Sequence, residues 1–373
     1  MGRLKAEILA NEAEIAAAWA KVAGRSIAGG SQTEAWCRLW RGHVNADCVL
    51  ALLRDESGPV LILPLAIHRH GTVRVAALPG GKHANCNFPA LLPDATVATE
   101  DLQALLAALH RARPDIDALL VERQLPELHG VPNPLLRLNV RPNPNVSLAI
   151  SLGGGFDALL QRSSGKKKRK NHRNSQHHFT AAGGHRLVVA DTAQEAREMV
   201  GSYLAFKQEQ FARAGIRNTY APAGVRDFFE ELFAAGAGQT PPRYEVKALE
   251  VGGKYRAVMG KSFSNDTVFI DFIGLAQDEL SSASPGAFLF FEDIKSSCEA
   301  GLAIYSFGVG DEPYKRSWAD LLTPTYDTNI GLTAKGRLYV VWRNLRADLI
   351  RGIKTNDALW PRVKRLRALL SRR

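Results

Sequence analysis

Between Tyr244 and Gly274 the chain holds three β-rich runs joined by links too short for anything but antiparallel reversal, and this constrains the fold more than any other feature. Tyr244–Val251 is separated from Lys254–Phe263 by Gly252-Gly253, and that run from Thr267–Gly274 by Ser264-Asn265-Asp266. Such links supply the positive φ angles of tight hairpins, so the segment is expected to be a meander. A helix should follow, because Ser284 stands at an N-cap with Pro285 at the first helical position and Gly301 stands where a helix would close. Ala287, Phe291, Ile294 and Cys298 share one face of it. Ala303–Phe307 is the next strand and runs into Gly308-Val309-Gly310-Asp311. Antiparallel strands, a helix and a returning strand imply an α/β chain of the α+β kind, with mixed, mostly antiparallel sheets flanked by helices.

The flanking sequence repeats these materials. Val146–Ser151 is strand-like, a helix starts at Phe156, and Lys166–Phe179 lacks interior Gly or Pro and predicts a long helix with a charged face. His185–Ala190 is a strand, Thr192 and Glu195 have capping-box spacing ahead of a helical face through Met199 and Tyr203, and Val225–Ala234 is another helix. Nearer the start, Glu12–Val22 and Thr33–Trp40 predict helices, and the charged Ala/Leu/Ile pattern of the first residues has helical spacing as well. Cys48–Leu53 and Pro59–Ile67 predict a hairpin across Asp55-Glu56-Ser57-Gly58, followed by a strand at Thr72–Leu78, a helix at Asp101–Arg111 and a strand at Ile116–Val121. Five prolines from Pro126 to Pro144 favour an irregular crossing, and Leu338–Trp342 is expected as the last strand. At 373 residues the chain exceeds the usual size of one core. The expected division is a lobe over 1–145, a second over 146–345 and a basic helical tail over 346–373.

The net charge of +11 is local: Lys166–Arg173 contributes +6 and Lys335–Arg373 contributes +10, so the remaining body is net −5. Phosphate, nucleic acid or an anionic surface is the expected partner of the basic segments, a solvated helix face and tail the plainer alternative. No apolar run approaches the length of a spanning helix, and the charged N-terminus lacks the apolar stretch of an export signal, so a cytoplasmic protein that does not span the membrane is expected. Cys37, Cys48, Cys86 and Cys298 have no zinc or disulfide spacing, and His177-His178 has no partner ligands, so no metal is expected.

Two places could carry chemistry. At the start of the Pro285 helix the N–H groups of Gly286, Ala287 and Phe288 should lack intrahelical partners, and with Ser284 they would offer an anion cradle in which Gly286 permits close approach. The same Ser-Pro-Gly start also begins helices that bind nothing. Just beyond the Ala303 strand, Asp311 and Glu312 are candidate general bases, with capping of a short Pro313–Trp318 helix the alternative for Asp311. Lys315 could meet a phosphate, polarise a carbonyl or lie on the surface, while Tyr314 and Trp318 are aromatic anchors, Tyr314 on the substrate side. Asp271, inside an apolar strand, must be paired or face a cleft, and is the second-choice base. His83 and Asn85 sit in a polar loop, Gly81–Asn87, that could receive an acceptor or be a plain Asn-rich turn.

The stretch Phe307-Gly308-Val309-Gly310-Asp311-Glu312-Pro313-Tyr314-Lys315-Arg316-Ser317-Trp318, with Ser284–Gly286, resembles the GNAT-superfamily acetyltransferases of the cellulose-biosynthesis (CelD/BcsL) group, relatives of the Fem-type peptidyl transferases. Gln32–Trp40, Leu63-Pro64-Leu65 and Gly80-Gly81 to Pro89 extend the resemblance, which spans about Gln32 to Val341. It implies two GNAT-like (acyl-CoA N-acyltransferase) lobes, the first degenerate. The second would hold acetyl-CoA or another acyl-CoA as co-substrate at Ser284, Gly286, Ala287 and Phe288. The implied activity is N- or O-acyl transfer to a sugar, glycan precursor or amino compound, linked to exopolysaccharide or cellulose biosynthesis. Two further readings stay open. One is a Fem-type aminoacyl-tRNA-dependent peptidyl transferase whose Lys166, Lys167, Lys168, Arg169, Lys170 and Arg173 contact RNA phosphates. The other is a non-catalytic double-GNAT scaffold.

Overall fold

A computed structural model describes residues 4–355. The first half runs β1 (Lys5–Leu9), α1 (Glu12–Val22), α2 (Glu34–His43), β2 (Cys48–Arg54), β3 (Pro59–His70), β4 (Val73–Ala77), β5 (Ala90–Leu91), α3 (Thr99–Ala112) and β6 (Ala118–Gln124). A ribbon of β7 (Glu127–Leu128) and β8 (Val131–Pro132) leads into β9 (Val140–Ser151). The second half runs α4 (Gly155–Arg162), α5 (Gly165–Ala181), β10 (His185–Val189), α6 (Ala193–Ala214), α7 (Val225–Gly236), β11 (Tyr244–Val251), β12 (Lys254–Ser264), β13 (Thr267–Leu275), α8 (Pro285–Glu299) and β14 (Ile304–Val309). It ends with α9 (Pro313–Arg316), β15 (Leu321–Gly331) and α10 (Ala334–Thr355).

One arrangement occurs twice. β1 to β4 are antiparallel neighbours, α3 crosses over, and β6 returns parallel to β4; β10 to β13 are antiparallel neighbours, α8 crosses over, and β14 returns parallel to β13. Every other ladder is antiparallel, so the fold is mixed α/β with a mostly antiparallel sheet flanked by helices, as the meander predicted. The two units share a single sheet because β15 pairs with β6 on one side and β9 on the other.

Both faces of the sheet are covered, which explains the nearly continuous apolar runs of β2 and β3. Val49, Ala51, Leu53, Leu61 and Leu63 pack with Leu102, Leu105 and Leu109 of α3, while Leu50, Leu52 and Ile62 pack with Trp19 and Val22 of α1. A third cluster joins the halves: Trp36 and Trp40 of α2 lie edge-on to Phe228 of α7 at 4.9 and 5.1 Å between centroids, and Tyr203 of α6 stacks on Phe272 of β13 at 3.9 Å. The helix α6 begins where its sequence says it should. Thr192 Oγ1 accepts the Glu195 N–H and Glu195 Oε2 accepts the Thr192 N–H, each at 3.2 Å.

Several expectations are corrected. Residues Lys5–Leu9 form a strand rather than helix, because Ala6 and Ile8 alternate with Lys5 and Glu7 at the strand period and pair with β2. Leu338–Trp342 lies inside α10, not in a strand; its apolar residues continue at helical spacing through Leu345 and Leu349, with no turn to stop them. The boundary expected at 345/346 falls within that helix, and residues 356–373 of the basic tail lie outside the described residues. Part of the proline segment is regular after all, since Pro142 and Pro144 are carried on β9. The strand β15 had no counterpart in the sequence reading.

The helix α8 is fixed to the sheet by a buried charge. Asp293 is fully buried and its Oδ1 accepts from Lys247 Nζ of β11 (2.7 Å) and Lys261 Nζ of β12 (2.8 Å), while its Oδ2 accepts from Tyr305 of β14 (2.8 Å). Burial alone would favour the neutral acid, but Lys261 and Lys247 outweigh it and hold Asp293 far below the usual carboxylate range. Asp293→Ala leaves Lys247 without its counter-charge and Lys261 with Glu245 alone (2.6 Å), which costs on the order of 3–5 kcal/mol. Urea unfolding at pH 7 checks this; a loss below about 1 kcal/mol would mean that the lysines find other partners.

Candidate active site

The parallel pair β13–β14 is short, and its end frames the candidate site. The strands pair at Thr267↔Ile304, Val268↔Tyr305 and Phe269↔Ser306, and the ladder then stops. Gly308, at φ +72°, lies in the irregular stretch of β14 between Ser306 and Val309 where its register with β9 also shifts. On β13 a bulge opposes Gly260 and Lys261, which pair with Phe272 and Ile270 and leave Asp271 as the extra residue. Bulges of this kind re-aim a side chain.

Asp271 is a perturbed carboxylate beside this splay. Its Oδ1 accepts from Ser262 Oγ at 3.0 Å, and its Oδ2 is enclosed with no hydrogen-bond partner. Burial pushes its pKa up to about 7, against the opposing pull of Ser262 and Arg243. The first half presses on this point: a Cβ at Gly30 would stand 2.1 Å from Ser262 Oγ and 3.7 Å from Asp271 Oδ1. Asn85 also reaches the splay, with its Nδ2 3.1 Å from where a Gly308 Cβ would be. Gln32 pins the Asn85 loop by donating to Asn87 Oδ1 (2.7 Å) and accepting from the Phe88 N–H (3.0 Å), and Arg123 donates to the carbonyls of Gly81 (2.5 Å) and Lys82 (3.3 Å).

Other predicted residues fall elsewhere. His83 turns away from Asn85, donates from Nε2 to the Thr219 carbonyl at 3.2 Å and packs on Tyr220; burial lowers its pKa to about 4, so it is a neutral bridge to the second half. Asp311 is exposed and ion-paired with Arg316, which holds it below the usual range, so it neither caps α9 nor titrates like a base near neutrality. Glu312, half exposed, pairs with Lys315 at 2.9 Å. Lys315 is buried rather than on the surface, and its Nζ also donates to the Val309 carbonyl at 3.1 Å, beside Gly310. Tyr314 packs on Phe290 and stays partly exposed, with burial pushing its pKa up to about 12.

The start of α8 differs from the expectation in two details. Ser284 takes a left-handed conformation (φ 58°) and its side chain caps nothing, while its carbonyl accepts the Phe288 N–H at 3.1 Å. Phe288 is therefore not a free donor; Gly286 and Ala287 are the residues whose N–H groups lack a backbone or side-chain partner among the described residues. Gly286 is buried, and its missing side chain serves packing, since a Cβ would meet Leu275 at 2.7 Å. Even so the mouth is open. A hollow of about 360 Å³ lies on the side of Leu275, Ala287 and Tyr314, and one of about 380 Å³ on the side of α5; Ser284, Ala287 and Trp318 line both. At the matching end of α3, Asp101 accepts the Ala98 N–H (2.9 Å) and the Leu4 N–H (3.3 Å), filling it with a carboxylate.

The basic helix α5 borders the second hollow. Lys168 donates to the Ser317 carbonyl at 2.8 Å, its Nζ lies 4.4 Å from the Trp318 ring centre, and burial lowers its pKa. His172, missed by the sequence reading, bonds Glu292 Oε1 at 2.5 Å and stacks on Phe288 and Phe291. Arg169 pairs with Asp157 at 2.7 Å, and Lys166, Lys167, Lys170 and Arg173 are exposed on the outer face. Among the described residues no group of His, Cys, Asp and Glu is arranged to hold a metal ion, and no helix is long and apolar enough to cross a membrane.

Residues 166–316 match the family model described as an acetyltransferase (GNAT) domain. Among solved structures, the chain superposes on FemX with a TM-score of 0.58 at 11% identity, over 90% of this chain and 99% of that one. It superposes on L-PGS from Bacillus licheniformis with a TM-score of 0.53 at 11% identity, over 92% and 98% of the two chains. The C-terminal domain of a putative lysylphosphatidylglycerol synthetase from Agrobacterium fabrum gives 0.53 at 14% identity, over 89% and 96%. No curated protein sequence matches the chain. At these identities the likeness establishes the fold, which is that of two GNAT-like units in tandem.

Because Asp271 has a folded-state pKa above its unfolded 3.8, the folded chain keeps a proton that the unfolded chain has released. The stability this contributes is full below about pH 4 and is lost as pH rises towards 7, on the order of 1.4 kcal/mol per unit. Asp271→Asn removes that dependence, so the variant should be more stable than the parent at pH 8 and lose its advantage at pH 4. Denaturant midpoints at both values test this; the same difference at each would show that Asp271 is solvated.

Proposed function

We propose that the chain is an acyl-CoA-dependent N- or O-acyltransferase whose donor lies along the β13–β14 splay with its phosphates at the start of α8. The observation that carries the reading is the bulged Asp271, a carboxylate with one unpartnered oxygen at the splay and a pKa near neutrality. A backbone ladder that stops offers unpaired amides to an extended pantetheine arm, and the open N–H groups of Gly286 and Ala287 suit pyrophosphate. The acceptor's amine or hydroxyl attacks the thioester carbon; the C–N or C–O bond forms as the C–S bond breaks and the thiolate leaves. Asp271, as carboxylate, takes the proton that the acceptor loses. Asn85 and Lys315, both at the splay, orient the acceptor and sustain positive potential beside the carbonyl oxygen. The first unit, its helix start filled by Asp101, holds no donor and instead supplies the Asn85 loop. A sugar, glycan precursor or amino compound is the acceptor class proposed, with exopolysaccharide assembly as the setting.

A second reading is favoured by α5. The helix carries six cations, of which Lys168 lines the α8 hollow and Lys166, Lys167, Lys170 and Arg173 are exposed; together they exceed what one nucleotide requires, and an aminoacyl-tRNA donor of the Fem type would use them. The salt dependence of binding separates the two, since many phosphate contacts make RNA affinity fall steeply with salt.

Two outcomes are expected. Acetyl-CoA should raise the thermal midpoint, and Ala287→Asp should abolish that rise without unfolding the chain, because residue 287 is exposed and an acidic side chain suits a helix start. Retained binding in this variant would remove the donor from α8. With an acceptor in hand, kcat/KM should climb about tenfold per pH unit and level off near pH 7, and Asp271→Asn should lose this limb and about 10²–10⁴ in rate. An unchanged profile in the variant would give the base role to another group.

A further inference from the structure

The helix α10 meets the sheet with one face. Val340 is buried against Val73, Val75, Ala118 and Leu120, and Gly336 approaches the Asp117 carbonyl so closely that a Cβ would stand 1.7 Å from its oxygen. The opposite face should be polar, yet it carries Leu338, Trp342, Leu345 and Leu349 at helical spacing, with Val341 beside them, all 56–74% exposed. Among the described residues nothing covers this stripe. Apolar surface of this kind, continuous on one helix, marks a place of contact.

Charge identifies the partner. Arg337 and Arg346 flank the stripe, the Arg346 guanidinium 5.6 Å from the Trp342 ring centre, while Lys335 is held by Asp117 at 2.8 Å. The acidic Asp348 is tied to Arg141 at 2.5 Å. In the sequence beyond, Arg362, Lys364, Arg365 and Arg367 add to the positive charge, and Lys335–Arg373 as a whole carries +10. A second copy packing through the same helix would bring charge of the same sign against the stripe. An anionic surface into which leucine and tryptophan can sink is complementary in both respects.

We propose that α10 is a docking face for an anionic lipid bilayer. The helix lies in the plane of the headgroups, with its leucines and Trp342 entering the acyl boundary and its cations meeting lipid phosphates. No spanning segment is involved, and the proposal stands independently of the acyl-transfer reading.

Flotation of the full-length protein with vesicles tests it. The chain should float with an equal mixture of phosphatidylglycerol and phosphatidylcholine, and not with phosphatidylcholine alone. The combined Leu338→Ser, Trp342→Ser and Leu345→Ser variant should bind at least tenfold less, with unchanged circular dichroism and thermal midpoint. Absence of flotation with the mixture overturns the proposal, as does undiminished flotation of the variant. A lipid-free dimer in sedimentation that the variant dissolves would assign the stripe to a second copy, and RNA binding lost in the variant would assign it to nucleic acid; either result also overturns the proposal.

Discussion

The position of α8 depends on Asp293. Three polar side chains, from β11, β12 and β14, converge on one buried carboxylate of this helix, and their hydrogen bonds fix both its rotation and its distance from the sheet. A helix held by apolar contacts alone can slide by a fraction of a turn at little cost, because dispersion is undirected; a buried carboxylate with fixed donors cannot. The first turn of α8 thereby stays beside the end of β13, where Gly286 packs under Leu275 and Ala287 lines both hollows.

The halves are built alike but are used differently. In the first, a buried aspartate fills the helix start; in the second, the corresponding turn is left open. What the first half contributes to the cleft is a loop, carried to Gly308 by the shared aromatic cluster of Trp36, Trp40 and Phe228 and by the bonds of Gln32 and Arg123. The candidate site is therefore composite: Asp271 comes from one unit, while Asn85 and the close approach at Gly30 come from the other.

Much of this was legible in the chain. Hairpin links, the Thr192 capping box and Pro285 are local signals, and each element they announce is present with bounds close to those expected. The misreadings at the candidate site and at β15 share a cause, since they concern facts that exist only after distant segments meet. Asp271 looked anomalous within its strand, but the bulge that sets it apart is a matter of register with β12. Lys315 and Asp311 are close neighbours in sequence, and nothing local says that one is buried and the other lies at the rim. For β15, polar and interrupted by Pro324, the pairing on both edges overrides weak intrinsic preference.

That doubly paired strand also bears on how the chain reaches its native state. Gln124 and Thr328 meet side by side although they are 204 residues apart. Until the ribosome has delivered Leu321–Gly331, β6 and β9 each present an open flank, so a nascent first half is a structure waiting for its last neighbour. Closure of so large a loop is slow, and the interval is one in which the unsatisfied flanks can recruit strands from other molecules.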